Sequence, residues 1–326
     1  MKDYMNLGTG IEVIRDSSGT VVMQAQNGTG TGVMTMHDIL PGIAVVYNDF
    51  HMREIKSEYS AKTELFCVDH CREGRIEQKI RPGVFCYTGA GDLRIDNRHG
   101  HNADFYFPLS HYHGITIGFE PLEADKSIHA VFPDFPISIA RLRERFCSKE
   151  GQFFLRNEPA IEHIFSELYH VPEKIKTHYL QIKVFELLLF LGGIEFTDSA
   201  EAKPYFYKSQ TEKVKAACEL ISENLNCHYT VEELAERFDI SATALKNCFK
   251  AIYGSSIYSF LRSARMNCAA TLLKTTDLSV AQVAGEVGYS NPSKFSAAFQ
   301  KEIRILPLEY RNAGEIARRA GKDEII

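Results

Sequence analysis

Four histidines sit at two-residue spacing in RHGHNADFYFPLSHYHG: His99 with His101, and His111 with His113. On a strand, residues two apart share a face, so each pair could offer two imidazoles to one metal ion, and a hairpin could join the pairs. A carboxylate to complete the set is not obvious; Asp104 and Glu120 are loose candidates. Histidines on a loop or rim that titrate or hydrogen-bond account for the cluster without metal. Cys67, His70 and Cys71 in FCVDHC form a second group. Strand spacing puts both cysteines on one face, as core residues would be, and free cysteine is often buried. The eight cysteines include no CxxC pair, which reads as reduced thiols in a reducing compartment.

A different chemistry is written further along. Ser241 to Thr276 holds no acidic residue but carries Lys246, Lys250, Arg262, Arg265 and Lys274. The net charge of −5 argues against nucleic acid, yet it averages two unlike parts. From Lys208 onward 16 basic and 14 acidic residues give +2, while the first 207 residues carry −7. A basic stripe on a near-neutral domain is a phosphate footprint, unless the gap in acids is chance.

The elements that must position these groups fall into two kinds. At 326 residues, two domains with ample core are expected. No run of about 18 apolar residues exists, and the start, MKDYMNLGTGIEV, has no apolar signal-like region, so no membrane association and a cytoplasmic location are expected. The first 130 or so residues read as β: GIAVVYNDF, TELFCVDHC, GRIEQKI, GVFCYTG and YHGITIGFE are short, β-branched and aromatic, with Gly, Pro, Asn and Asp between them, as in a barrel or sandwich. After Pro136 the period turns helical through ISIARLRERF, AIEHIFSELYH and VPEKIKTHYLQIKVFELLLFLGG. The wide apolar stripe of the last serves as core, as a dimer face, or as both. Residues 194–209 are polar and aperiodic and read as a linker, followed by helices and short turns.

Within those helices the chain repeats itself. TVEELAERFDISATALKNCF (Thr230 to Phe249) matches SVAQVAGEVGYSNPSKFSAAF (Ser279 to Phe299) at an offset of 49 through Ser241/Ser290 and 50 at Leu245/Phe295. Thr230 with Glu233, and Ser279 with Gln282, have capping-box spacing. Val231, Leu234, Ala235 and Phe238 face inward in one copy; Val280, Val283, Ala284 and Val287 do so in the other. Asp239-Ile240 and Gly288-Tyr289 break the helices, Gly288 supplying a left-handed residue. Ser241 or Ser290 then starts a second helix, with Pro292 in its first turn. Two short helices around such a corner make a helix-turn-helix, whose second helix fits a DNA major groove. Outward positions are Ala242, Thr243, Lys246, Asn247 and Lys250 in the first copy, and Asn291, Pro292, Ser293, Lys294 and Ala297 in the second. Asn can pair with adenine and Lys can reach guanine or phosphate. Arg262, Arg265 and Lys274 fit packing or phosphate contact better.

The segment from about Gln210 to Asn312 resembles the DNA-binding domain of the AraC/XylS family of transcription regulators. The resemblance is carried by TVEELAERFDIS with LKNCFKAIYG, YSFLRSARMNCAATLL, LSVAQVAGEVGYSNPSKFSAAFQK and LPLEYR. It implies a seven-helix unit with two helix-turn-helix motifs set in successive major grooves. The sequence departs from the pattern at Ile257, where proline is common, at Arg304, where glycine is common, and at Ala297, where arginine is often found. The resemblance also implies an N-terminal cupin-like β-barrel followed by dimerising helices. The expected fold is therefore α+β: a cupin-like sensor domain over 1–193 with dimerisation helices at about 137–191, a linker over 194–209, and an all-α DNA-binding domain over 210–326. The expected function is sequence-specific, non-enzymatic regulation of transcription under a small-molecule effector, without a cofactor. Expected partners are double-stranded DNA, the effector, a second copy of the chain and RNA polymerase. The alternative is a cupin-type metalloprotein or metal-responsive regulator using His99, His101, His111 and His113.

Overall fold

The structure is a computed structural model that describes residues 10–17, 19–147, 152–156, 158–194 and 205–313, with the side chains of 57–63 and 99–104 outside the description. The chain divides into two compact units, Met1–Tyr205 and Phe206–Ile326. No helix among the described residues is long and apolar enough to cross a membrane.

The first unit is built on strands β1 (Ile11–Ser17), β2 (Thr20–Asn27), β3 (Gly30–Leu40), β4 (Ile43–His51), β5 (Glu54–Arg81), β6 (Val84–Gly89), β7 (Asp92–Tyr106), β8 (Tyr112–Phe119) and β9 (Gln152–Arg156). They form a curled sheet in the order β1-β2-β3-β4-β8-β5-β6, with β7 paired to β5 and β9 to β7. Four helices lie against it: α1 (Pro121–Val131), α2 (Ile139–Cys147), α3 (Pro159–Leu168) and α4 (Lys176–Gly193). The alternation of β4 shows how the faces are used. Ile43 and Val45 pack with Ile115, Ile117 and Phe119 of β8 and with Ile164, Phe165, Val184 and Leu187 of the helices. Ala44, Val46, Asn48 and Phe50 instead line a cavity on the other face. A strand buried on both sides needs apolar residues at nearly every position, as IAVVY provides.

Several elements differ from the sequence expectation. The stretch after Glu120 is helical: Pro121 opens α1 in its first turn, and Ala124 and Ile128 turn inward. TELFCVDHC and GRIEQKI belong to one 28-residue strand, β5, which pairs with β7, β8 and β6 in turn. Strands β1, β2, β3, β7 and β9 were not separately expected; β9 inserts QFFLR between two helices and pairs antiparallel with β7. Cys67 and Cys71 are buried, as the core reading has it, and burial pushes the Cys67 thiol up to about 11. His70, on the opposite face, stacks on Phe165 with ring centroids 4.3 Å apart.

The second unit holds α5 (Lys208–Glu223), α6 (Val231–Arg237), α7 (Ala242–Tyr253), α8 (Ile257–Thr275), α9 (Val280–Glu286), α10 (Pro292–Ile303) and a further helical stretch over 307–313. Helix α5 begins at Lys208, and residues 195–204 of the expected linker lie outside the described residues.

Candidate nucleic-acid interface

The two repeats fold into the same corner by the same local bonds. Thr230 caps α6: its Oγ1 accepts from the Glu233 N–H at 3.2 Å, and Glu233 accepts from the Thr230 N–H at 2.8 Å. That backbone donor holds the Glu233 carboxyl below its ordinary range. Ser279 and Gln282 repeat the box at α9 with the same two distances. Each short helix then ends on a left-handed residue, Asp239 (φ 48°) or Gly288 (φ 80°). The next N–H folds back to the helix: Ile240 donates to the Ala235 oxygen at 3.0 Å and Tyr289 to the Ala284 oxygen at 2.8 Å. Such closure satisfies carbonyls that a helix end leaves open.

The inserted residue of the second copy lies inside this corner. Ser241 caps α7 by accepting from the Ala244 N–H at 3.2 Å. The equivalent cap on α10 is Asn291, not Ser290: Asn291 Oδ1 accepts from the Ser293 and Lys294 N–H groups at 2.9 and 3.1 Å. The repeat offset therefore becomes 50 before the second helix begins. Asn291 was expected as a DNA contact, and its carbonyl oxygen is committed to this cap.

The inward faces close two small cores. Leu245, Phe249 and Ile252 of α7 are fully buried, and Phe249 and Tyr253 meet Phe260 at centroid distances of 5.5 and 5.2 Å. Phe295 and Phe299 of α10 pack with Val283 and Ala284 of α9, with Val287 just past its end, and with Met266, Ala269 and Leu273 of α8. What remains outward on the second helices is polar. Thr243, Lys246, Asn247 and Lys250 are exposed on α7, with Ala242 half-buried. Asn291, Pro292, Ser293, Lys294 and Ala297 are exposed at the start of α10. Among the described residues, no hydrogen bond or ion pair engages the ammonium groups of Lys246, Lys250 or Lys294.

The basic stripe is shorter than the sequence suggested. Arg265 is buried; its Nε donates to the Leu225 oxygen at 2.7 Å and its Nη2 to the Cys227 oxygen at 2.8 Å. Burial lowers the Arg265 pKa, with Tyr289 opposing that shift. Arg262 Nη2 lies 3.5 Å from Glu302, and Lys274 sits 4.5 Å above the Tyr310 ring. Arg265 is thus held inside the fold, while Arg262 and the exposed Lys274 have partners within the domain; the lysines of α7 and α10 are outward cations of the two second helices' leading faces. A groove of about 280 Å³ beside α10 adds residues that the repeat did not single out, including His228, Tyr229 and the largely exposed Tyr258. No local pattern marks Tyr258; its place follows from where α8 starts.

The side chains of His99 and His101 lie outside the described residues. His111 Nδ1 is 3.3 Å from the Leu109 oxygen, while His113 turns to Asp49.

A helix-turn-helix domain family matches residues 234–313. The HTH-type transcriptional regulator AlkR of Acinetobacter baylyi is 35% identical over 83 residues, covering 26% of this chain and 27% of that protein. The arabinose operon regulatory protein of Salmonella typhimurium is 27% identical over 165 residues, covering 48% of this chain and 57% of that one. The C-terminal unit is an AraC-type helix-turn-helix domain. A crystal structure of the DNA-binding domain of AdpA in complex with a target DNA is 29% identical and covers 33% of this chain and 96% of that one, with a TM-score of 0.32. The matches span little more than half the length of these curated relatives, or less. Arg304 and Ala297 mark where this AraC-type domain departs from the pattern its resemblance implied.

Proposed function

We propose that the protein is a sequence-specific, DNA-binding transcription regulator of the AraC type. The observation that carries this reading is the pair of capped corners, each presenting a second helix with its apolar side buried and small or polar residues outward. Helix α7, with Thr243, Lys246, Asn247 and Lys250, reads bases and holds phosphate; Asn and Lys suit adenine and guanine edges. Helix α10, with Ser293, Lys294 and a cap-bound Asn291, docks on phosphates and groove shape.

The same reading makes the first unit the sensor. Its cavity of about 200 Å³ has apolar walls from Met23, Met34, Met36, Phe50 and Phe107. One side is a continuous polar chain. Asn48 donates to Thr116 at 3.1 Å, Thr116 donates to Asp69 at 2.7 Å, Arg98 bridges Asp69 and Asp96, and Arg94 donates to Asp96 at 2.6 Å. A largely buried, paired charge network costs desolvation that apolar residues would avoid, so function accounts for its presence better than stability does. The effector that fits is a small organic molecule with an apolar body and a polar head. Dimerisation runs through α4, where Ile182 and Leu189 are 63% and 48% exposed, with Ile175, 49% exposed in the single turn just before the helix, continuing the seven-residue interval. RNA polymerase is the further partner of a regulator bound beside a promoter.

Capture of genomic fragments by the purified full chain tests the reading, with and without candidate effectors. Enrichment of discrete promoter fragments, weakening steeply with salt, is expected. Uniform recovery of all fragments would reject sequence-specific regulation.

A further inference from the structure

On the helix-bearing face of the sheet, one row of residues crosses three neighbouring strands. Glu73 of β5 stands opposite His113 of β8, and His113 stands opposite Asp49 of β4. His51 lies two residues beyond Asp49 and so shares its face. His113 Nε2 is 2.5 Å from Asp49 Oδ1, and His51 Nε2 is 3.0 Å from the same oxygen. The two imidazole rings are nearly perpendicular, with centroids 5.3 Å apart. All three potential ligand atoms lie within 4.8 Å of one another.

We propose that Asp49, His51 and His113 form a three-ligand site for a divalent transition-metal ion, with zinc as the fitting case. Zinc holds imidazole nitrogen and carboxylate oxygen at about 2.0–2.2 Å in a tetrahedron, which sets neighbouring ligand atoms a little over 3 Å apart. The observed nitrogen–oxygen gaps need sub-ångström adjustment of side chains that are partly or largely exposed and free to make it. The face is open, so water completes the coordination. Two imidazoles converging through Nε2 on one carboxylate bring two nitrogen ligands and one oxygen ligand of the kinds zinc takes to a single point.

Glu73 supplies the outer support such sites use. Its Oε2 lies 3.9 Å from His113 Nδ1, on the side of the ring turned away from Asp49. A carboxylate there selects the tautomer that leaves Nε2 free for metal. Arg72 Nε, 3.6 Å from the other Glu73 oxygen, steadies that carboxylate. Asn48 and Phe50, which alternate with Asp49 and His51 along β4, line the cavity on the opposite face. A bound ion would tie β4 to β8 at a place that also shapes the cavity wall.

Calorimetric titration of the metal-free full chain with Zn²⁺ tests the site against the His51→Ala/His113→Ala double variant. One equivalent is expected in the native chain and is lost, or weakened at least tenfold, in the variant. Glu73→Gln should keep the stoichiometry and weaken binding about tenfold. Exposed Cys227 is a competing ligand, so Co²⁺ absorption of the native chain is read as well. Nitrogen and oxygen ligation without a thiolate charge-transfer band supports the site. Unchanged isotherms in the double variant, no zinc binding by the native chain, or a thiolate band carrying the bound equivalent would each overturn it.

Discussion

Asp239 and Gly288 occupy the same left-handed corner in the two repeats, at φ 48° and 80°, but the space around them differs. The Asp239 side chain points outward to Lys213, whose Nζ lies 2.9 Å from Oδ2. A Cβ on Gly288 would stand 3.0 Å from both the Asn226 and Leu225 oxygens, and 3.1 Å from Arg265 Nη2. Those oxygens belong to the turn that Arg265 pins, so they cannot easily retreat. Gly288→Ala should therefore cost about 1–2 kcal/mol from the left-handed backbone, with crowding added. Denaturant unfolding of the full chain checks it; an unchanged midpoint for the C-terminal transition would contradict the corner as described.

Arg304 ends α10 at φ 69°, where Gly254 ends α7 at φ 76°. Both donate their N–H to a carbonyl four residues back, at 2.9 and 2.8 Å. An exposed arginine held left-handed is strained by about 1–2 kcal/mol, and glycine loses some of that gain through its freer unfolded chain. Arg304→Gly should stabilise the domain by about 0.5–1 kcal/mol net. Thermal unfolding reads this as a small upward shift, and a fall would show that Arg304 makes contacts worth more than its strain.

The corners were legible because their causes are local. A cap and its partner lie three residues apart, and a left-handed residue closes a bond five residues long. The register within the corner was less so: Ser290 and Asn291 are both good caps, and the choice depends on how the inserted residue is accommodated. The sheet was legible where β-branched runs were dense, as in β4 and β8, and was missed where methionine, threonine and glycine alternate, as in β3. The Asp49–His51–His113 grouping was not legible at all. It rests on strand register between residues more than sixty positions apart, whereas sequence spacing groups His113 only with His111, whose ring does lie 6.3 Å away. The acid-free stretch misled in part, since a basic residue facing a helix interior looks no different in sequence from one facing DNA.

Lys246 and Asn247 are adjacent on the exposed face of α7 and should separate affinity from specificity. Lys246→Ala should weaken binding to all fragments alike and lower the salt slope by about one. Asn247→Ala should relax preference at one base pair, costing about 1–3 kcal/mol against the preferred site. Fluorescence anisotropy across a salt series and a panel of single-base variants distinguishes the two. Equal isotherms for both variants and the native protein would remove α7 from the interface.

Ile182 and Leu189 lie on the solvent side of α4, whose other side is filled by Leu180, Val184, Leu187, Leu188 and Leu191. A charge on the exposed stripe should spare the core and break a helix–helix contact. Ile182→Glu with Leu189→Glu should convert a dimer to a monomer with little change in unfolding temperature. Sedimentation velocity reads the outcome, and a dimer that survives both changes would place the dimer contact elsewhere.

His70 gives the first unit a defined acid sensitivity. It is 1% exposed, stacked on Phe165, with Nδ1 3.3 Å from the Tyr169 hydroxyl and Nε2 3.5 Å from Glu162. Burial lowers its pKa to about 4, with the Glu162 carboxylate opposing the shift. The unfolded chain binds this proton near the ordinary value of 6.5, so it takes up protons first as the pH falls. Stability from this residue is therefore whole above about pH 7, declines between 6.5 and 4, and levels off below that. The full loss is about 3–4 kcal/mol at most, from 1.36 kcal/mol per pKa unit. His70→Phe should keep the stack on Phe165 and flatten this part of the profile. Urea midpoints of both proteins at pH 7.5 and 4.5 make the comparison; an equal drop in both would assign the acid sensitivity to other groups.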